Sequence, residues 1–228
     1  YKEIKKIIFN FFVNFIKKKF SILKILTDTK NLVDILKIKH INNVVLLPVP
    51  HTNIIFKNKK QKKNKKQKII KLYFPGQYRP EKFGINFQNF LKLNNNTKYQ
   101  IFINRKFKTE KKFKFKLKFL KNNLSNFEYM KAMYFSDFII LPYSSKLYKS
   151  RTSGIFIEGA ILSKKILVTE NTWMANEYRR FRLNDLIIRD WSKFELKDNL
   201  KKLFSKKLDL KIKLMQNKYV KVHNQDNY

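Results

Sequence analysis

A chain of 228 residues that is 43% hydrophobic and 15% aromatic can bury a full core, which excludes global disorder, and its length fits one domain and part of another. The formal net charge of +36 points to a polyanion, either nucleic acid or an anionic membrane. Yet only seven of the 52 basic residues are arginine, whose planar fork matches phosphate and guanine edges, and the joint excess of Lys, Asn, Ile, Phe and Tyr is also what an A/T-rich coding bias produces.

With no cysteine, disulfides and thiolate metal sites are excluded. The chain opens on Tyr1 rather than methionine, which predicts a processed chain or a piece of a longer protein lacking its N-terminal part. Ile4 to Ile25 reads as a basic amphipathic helix, with Ile8, Phe11, Phe12, Phe15 and Phe20 at helical spacing. Such a face suits packing on its own domain or a membrane surface. The longest nearly uncharged apolar stretch, Ile7 to Ile16, falls short of the ~20 residues that a bilayer span needs, and no signal-peptide cleavage site accompanies it. No spanning segment is predicted, and the expected location is cytoplasmic, with the cytoplasmic face of a membrane as the alternative.

Val44 to Pro50 is a short buried strand run ended by prolines, followed by His51, which suits a surface or hinge position better than a catalytic base. Lys57 to Lys68 holds no apolar residue and predicts a solvated loop. From there the pattern becomes regular. Strands are predicted over Ile69 to Phe74, Tyr99 to Asn104, Phe113 to Phe119, Asp137 to Pro142, Ile166 to Thr169 and Leu186 to Ile188. Helices are predicted over Glu81 to Leu93, Asn126 to Ser136, Ile155 to Leu162, Trp173 to Phe181 and, toward the C-terminus, Trp191 to Val222. Alternation of this kind predicts an α/β fold, a Rossmann-like parallel sheet with helices on both faces. Ligands of such sheets bind beyond the carboxyl ends of the strands.

All four glycines fall in two turns of that type. The first, Phe74-Pro-Gly-Gln-Tyr-Arg-Pro-Glu-Lys-Phe-Gly84, places Arg79 and Lys82 at a helix start, where free amides and the helix dipole favour an anion such as a diphosphate. In the second, Ser153 and Gly154 open a helix whose first turn carries Glu158. Amides near Gly154 suit a phosphate, and a carboxylate one turn in suits a ribose diol. The apolar neighbours Ile155, Phe156, Ile157, Ala160 and Ile161 predict that Glu158 is partly buried and has a partner. Thr172 is a plausible N-cap, and Trp173 either packs in the core or closes over a ligand.

Three passages in order, Gly76…Arg79…Lys82…Gly84, Tyr129 to Tyr143 with its Asp137-Phe-Ile-Ile-Leu-Pro, and Ser153-Gly-Ile-Phe-Ile-Glu-Gly-Ala160 followed by Lys164 to Thr169, carry a resemblance. Together they look like the C-terminal donor-binding domain of GT-B glycosyltransferases, most of all the large retaining group that uses nucleotide-diphospho-sugars. The resemblance covers about half the chain. It implies diphosphate contacts from Gly76, Arg79, Lys82, Ser153, Gly154 and Ile155, and a ribose contact from Glu158. It also implies residues 1–56 as the remnant of an N-terminal acceptor domain and linker, 57–68 as the lysine-rich loop, 69–190 as the nucleotide-sugar domain and 191–228 as C-terminal helices. The sequence departs from the family at Ser150, where a second glutamate usually meets the transferred sugar; Ser150 and Arg151 are the candidate sugar contacts.

No Asp-x-Asp pair occurs, so a metal-bound diphosphate is not expected, and the resemblance implies a nucleotide-diphospho-sugar as donor substrate with no cofactor. The expected activity is transfer of a sugar from the nucleotide donor to a glycan or lipid-linked acceptor, with peripheral membrane contact as an option; no catalytic residue is identified. The competing readings are a basic nucleic-acid-binding or ribonucleoprotein component, with phenylalanines available for stacking, and a GT-B-like domain without activity.

Overall fold

The computed structural model describes residues 25–27, 30–38, 43–47, 69–76, 79–105, 107 and 112–223. The expected solvated loop Lys57 to Lys68, His51 and most of the expected helix Ile4 to Ile25 lie outside them. The chain divides into two compact units, Tyr1–Val49 and Pro50–Tyr228.

In the first unit, strand β1 (Ile25–Thr27), helix α1 (Lys30–Ile38) and strand β2 (Val44–Leu46) form a parallel β-α-β unit, with Ile25 opposite Val44 and Thr27 opposite Leu46. Ile25 therefore begins a strand and does not end the expected helix. β1 and α1 have no counterpart among the predicted elements.

The second unit holds six strands: β3 (Ile70–Tyr73), β4 (Tyr99–Asn104), β5 (Lys116–Leu120), β6 (Phe138–Leu141), β7 (Lys165–Thr169) and β8 (Ile187–Ile188). They form one all-parallel sheet in the order β5-β4-β3-β6-β7-β8. The chain starts in the middle, builds outward to β5, then returns to place β6 on the other side of β3. This is the strand order of a Rossmann-like fold, and it opens a crevice between the ends of β3 and β6. β6 and the Ile166–Val168 stretch of β7 read as unbroken apolar runs because both sheet faces are covered there. All four residues of β6 are fully buried, as are Ile166, Leu167 and Val168 of β7. β5 is an edge strand with exposed Lys116, Lys118 and Phe119; the lysines blunt its free edge against further pairing. It starts later than the expected Phe113, and Phe113 and Phe115, just ahead of it, stack on each other with 4.5 Å between centroids.

Helices connect the strands: α2 (Pro80–Leu93), α3 (Asn126–Phe135), the short α4 (Ser145–Tyr148), α5 (Gly154–Ile161), α6 (Trp173–Arg180), α7 (Leu196–Leu203) and α8 (Lys206–Val222). Side-chain caps fix several starts. Ser125 and Glu128 make a reciprocal capping box on α3, Thr172 accepts from the Ala175 amide on α6, and Ser205 accepts from the Leu208 amide on α8. The expected helix Glu81 to Leu93 is not continuous. Gly84 (φ 51°, ψ −147°) breaks it after its first turn, a conformation open to glycine and strained for other residues. Gly159 has a different reason. A Cβ there would lie 2.7 Å from Ile166 Cδ1 and 3.1 Å from Ile139 Cδ1, so glycine lets α5 settle directly on β6 and β7. Trp173 is buried and meets Phe156 edge-on at 5.7 Å, which is the core-packing alternative.

Asn94, at the end of α2, clasps the C-terminal segment. Its amide donates to the carbonyls of Phe90 (2.9 Å) and Phe194 (3.0 Å), and its Oδ1 accepts from the Leu196 amide (2.6 Å). The side chain is buried, so Asn94→Ala leaves the Leu196 amide and Phe194 carbonyl without their partner. Chemical denaturation should show a loss of about 2–3 kcal/mol, the cost of orphaned buried backbone groups; a loss under about 0.5 kcal/mol would mean that the clasp is replaced by water.

Candidate functional site

The β3–α2 and β6–α5 connections converge at the crevice where strand order reverses. At the end of β3 the backbone passes Phe74 and Pro75 into Gly76, whose φ of 83° is the left-handed conformation. A Cβ on Gly76 would lie 3.4 Å from Ile155 Cδ1, so the first connection touches the first turn of α5. The amide of Asn86 reaches the Pro142 carbonyl at 3.4 Å, tying α2 to the end of β6.

Ser153 caps α5. It is buried, and its Oγ accepts from the Phe156 amide at 3.3 Å, while the Phe156 and Ile157 amides both reach the Ser153 carbonyl. The amides of Gly154 and Ile155 have no hydrogen-bond partner among the described residues and form the helix's open donor pair. A Cβ added at Gly154 would meet nothing within 4 Å, so the side of Gly154 that a side chain would occupy is open. Ser153 thus acts on the backbone of its own helix through its side chain, while the open donors belong to the two residues after it.

Glu158 lies one turn into α5 and is partly buried. Its Oε2 accepts a hydrogen bond from the Tyr129 hydroxyl of α3 at 2.7 Å. That supplies the partner expected from its apolar neighbours. Tyr73, on β3, meets the Tyr129 ring edge-on at 6.5 Å. Burial first, and the Glu158 charge second, push both phenols well above their ordinary pKa, so both stay protonated and Tyr129 donates to the carboxylate.

Arg79 is exposed immediately before α2, and Lys82 lies in the first turn of that helix, ahead of the break at Gly84. Ser150 is half-buried in the connection between β6 and α5. Arg151 is exposed, with its guanidinium 5.6 Å from the centre of the Tyr148 ring; Tyr148 in turn packs on buried Tyr143 at 4.4 Å. Asp137 stands outside the site. Its carboxylate accepts from the Lys71 amide at 2.9 Å while its own amide donates to the Lys71 carbonyl, joining β3 to β6 at their amino-terminal ends.

A cleft of about 310 Å³ opens at the carboxyl ends of β3, β4 and β5. It is lined by Tyr73, Phe74, Gly76, Asn104, Tyr129 and the β5–α3 turn from Leu120 to Leu124 with Asn126. The glycine pattern does not reveal this turn. The signal that finds it is topological: Lys121-Asn-Asn-Leu-Ser125 follows a strand and precedes a capped helix, the position at which parallel sheets carry ligand contacts. Among the described residues, no group of three or more His, Asp or Glu side chains is placed to hold a metal ion. No helix among them is long and apolar enough to cross a membrane.

The arrangement brings together the open backbone amides of Gly154 and Ile155, the Gly76 turn, a carboxylate held by the Tyr129 hydroxyl and an adjoining cleft with amide-bearing walls. No protein-family model matches the chain, and no curated protein matches it at a significant level.

Proposed function

We propose that the second unit is the donor-binding domain of a GT-B glycosyltransferase, holding a nucleotide-diphospho-sugar and passing the sugar to a glycan or lipid-linked acceptor. The observation that carries this reading is Glu158. It is a carboxylate held one turn into a helix with an open N-terminal amide pair, at the strand-order reversal of a Rossmann-like sheet.

In this reading the donor diphosphate rests on the Gly154 and Ile155 amides and the Gly76 turn, with Arg79 and Lys82 supplying positive charge in place of a metal. Glu158 accepts the ribose hydroxyls, and the base occupies the cleft beside the β5–α3 turn. Ser150 and Arg151 belong to the connection nearest the transferred sugar. The chemistry assigned to these residues is positioning and stabilisation of the leaving diphosphate, where negative charge grows as the glycosidic bond breaks.

Titration of the full chain with UDP, GDP and their sugars, beside an Arg79→Ala/Lys82→Ala variant, tests the reading. A chain of net charge +36 attracts many anions, so inorganic pyrophosphate and a random oligonucleotide serve as controls at matched salt. Removing both charge-assisted hydrogen-bond donors at once should lower the affinity about tenfold or more. Binding that ignores the double substitution, or an oligonucleotide that binds far more tightly than any nucleotide sugar, would contradict it.

A further inference from the structure

We propose that Tyr129 is a positioning residue that fixes the Glu158 carboxylate so that the site selects ribonucleoside over 2′-deoxyribonucleoside diphosphates. This rests on the nucleotide-sugar reading above and adds a residue and a selectivity to it.

The two groups come from different helices, α3 and α5, and meet at 2.7 Å, the short distance of an O–H···O⁻ hydrogen bond. Tyr129 has little freedom to leave. Its ring packs edge-on against Tyr73, a fully buried residue of β3, while another part of it lines the 310 Å³ cleft. Burial favours the protonated phenol, which keeps Tyr129 a donor to the carboxylate. An ionised carboxylate offers about four acceptor positions, and the phenol uses one. A vicinal diol needs two more in fixed directions. A glutamate free to rotate would meet one hydroxyl nearly as well as two, whereas a glutamate pinned by Tyr129 presents both acceptors at once. A 2′-deoxyribose then leaves one desolvated acceptor unmatched, which penalises the deoxy ligand.

If Tyr129 merely walls the cleft, its loss weakens ribose and deoxyribose ligands alike. If it positions Glu158, its loss erases the difference between them. The full chain is therefore titrated with UDP, GDP, 2′-deoxy-UDP and 2′-deoxy-GDP at fixed salt, with melting temperatures recorded for each variant. The unsubstituted chain should bind a ribonucleotide about tenfold or more tightly than its deoxy counterpart. In Tyr129→Phe that ratio should fall to about one to three, with deoxy affinity held to within about twofold. A second readout needs no substitution. The Tyr129 hydroxyl proton, held in its hydrogen bond to Glu158, should shift in the NMR spectrum when UDP or GDP is added and stay in place with inorganic pyrophosphate.

A Tyr129→Phe variant that keeps the full ribose preference, or that weakens both ligand types equally, overturns the proposal while leaving the nucleotide-sugar reading intact. A hydroxyl proton indifferent to the bound ribonucleotide overturns it in the same way. Failure of the unsubstituted chain to bind any of the four nucleotides overturns both.

Discussion

Replacing Trp191 with alanine should cost about 3–5 kcal/mol of folding stability, the range for emptying a buried tryptophan site. The indole is almost fully buried, meets Phe90 edge-on at 5.7 Å and Phe194 at 6.1 Å, and donates from Nε1 to the Thr169 hydroxyl at 2.9 Å. It joins α2, the end of β7 and the segment leading to α7. Trp191→Phe keeps most of the buried area and loses the hydrogen bond, so it should cost less, about 1–2 kcal/mol including the void. Urea denaturation of both variants checks the order. An alanine variant less than about 1 kcal/mol weaker would mean that the C-terminal segment does not pack as described.

At Glu158, affinity and stability should separate. Glu158→Gln retains an acceptor for the Tyr129 hydroxyl but loses the charge that strengthens hydrogen bonds to a diol. Nucleoside diphosphate affinity should fall about tenfold or more, with little change in melting temperature. Glu158→Ala removes the acceptor as well and strands the Tyr129 phenol, most of which is buried. It should therefore lose both the affinity and about 1–3 kcal/mol of stability. Calorimetric titration and thermal melting of the pair make the comparison. Equal affinity in all three proteins would remove Glu158 from the site.

The sheet was legible because its strands carry their environment in their composition. Phe138–Leu141 and Ile166–Val168 are unbroken apolar runs, as burial on both faces requires, and each is followed by a turn that starts a helix. Gly159 sits among apolar neighbours that place its helix against a core, and the closeness of Ile166 and Ile139 is visible only once the helix lies on the sheet. Gly84 falls inside the expected helix Glu81 to Leu93, and the break there is new, since its positive φ interrupts the helix without ending it.

Contacts across long separations left no local trace. Asn94 meets Phe194 and Leu196, and Trp191 meets Thr169 and Phe90, through tertiary packing that no window of neighbouring residues encodes. The candidate site divides in the same way. Glycines and helix starts mark Gly76, Gly154 and Glu158, whereas Tyr129 and the Lys121–Asn126 turn join them only because strand order brings β5 and α3 beside β3. Asp137 shows the reverse case. It belongs to a passage that suggests a donor site, and its carboxylate serves the far end of the sheet.

The most direct test of the account is a ¹⁵N-¹H correlation spectrum of the full chain titrated with UDP and with GDP at a salt concentration that suppresses nonspecific anion binding. The account predicts that one nucleotide perturbs a single contiguous set of amides, Gly76, Gly154, Ile155 and Glu158 together with the Lys121–Asn126 turn, and saturates. Shifts concentrated instead on the lysine-bearing surface of α8, or spread over the chain without saturation, would contradict it.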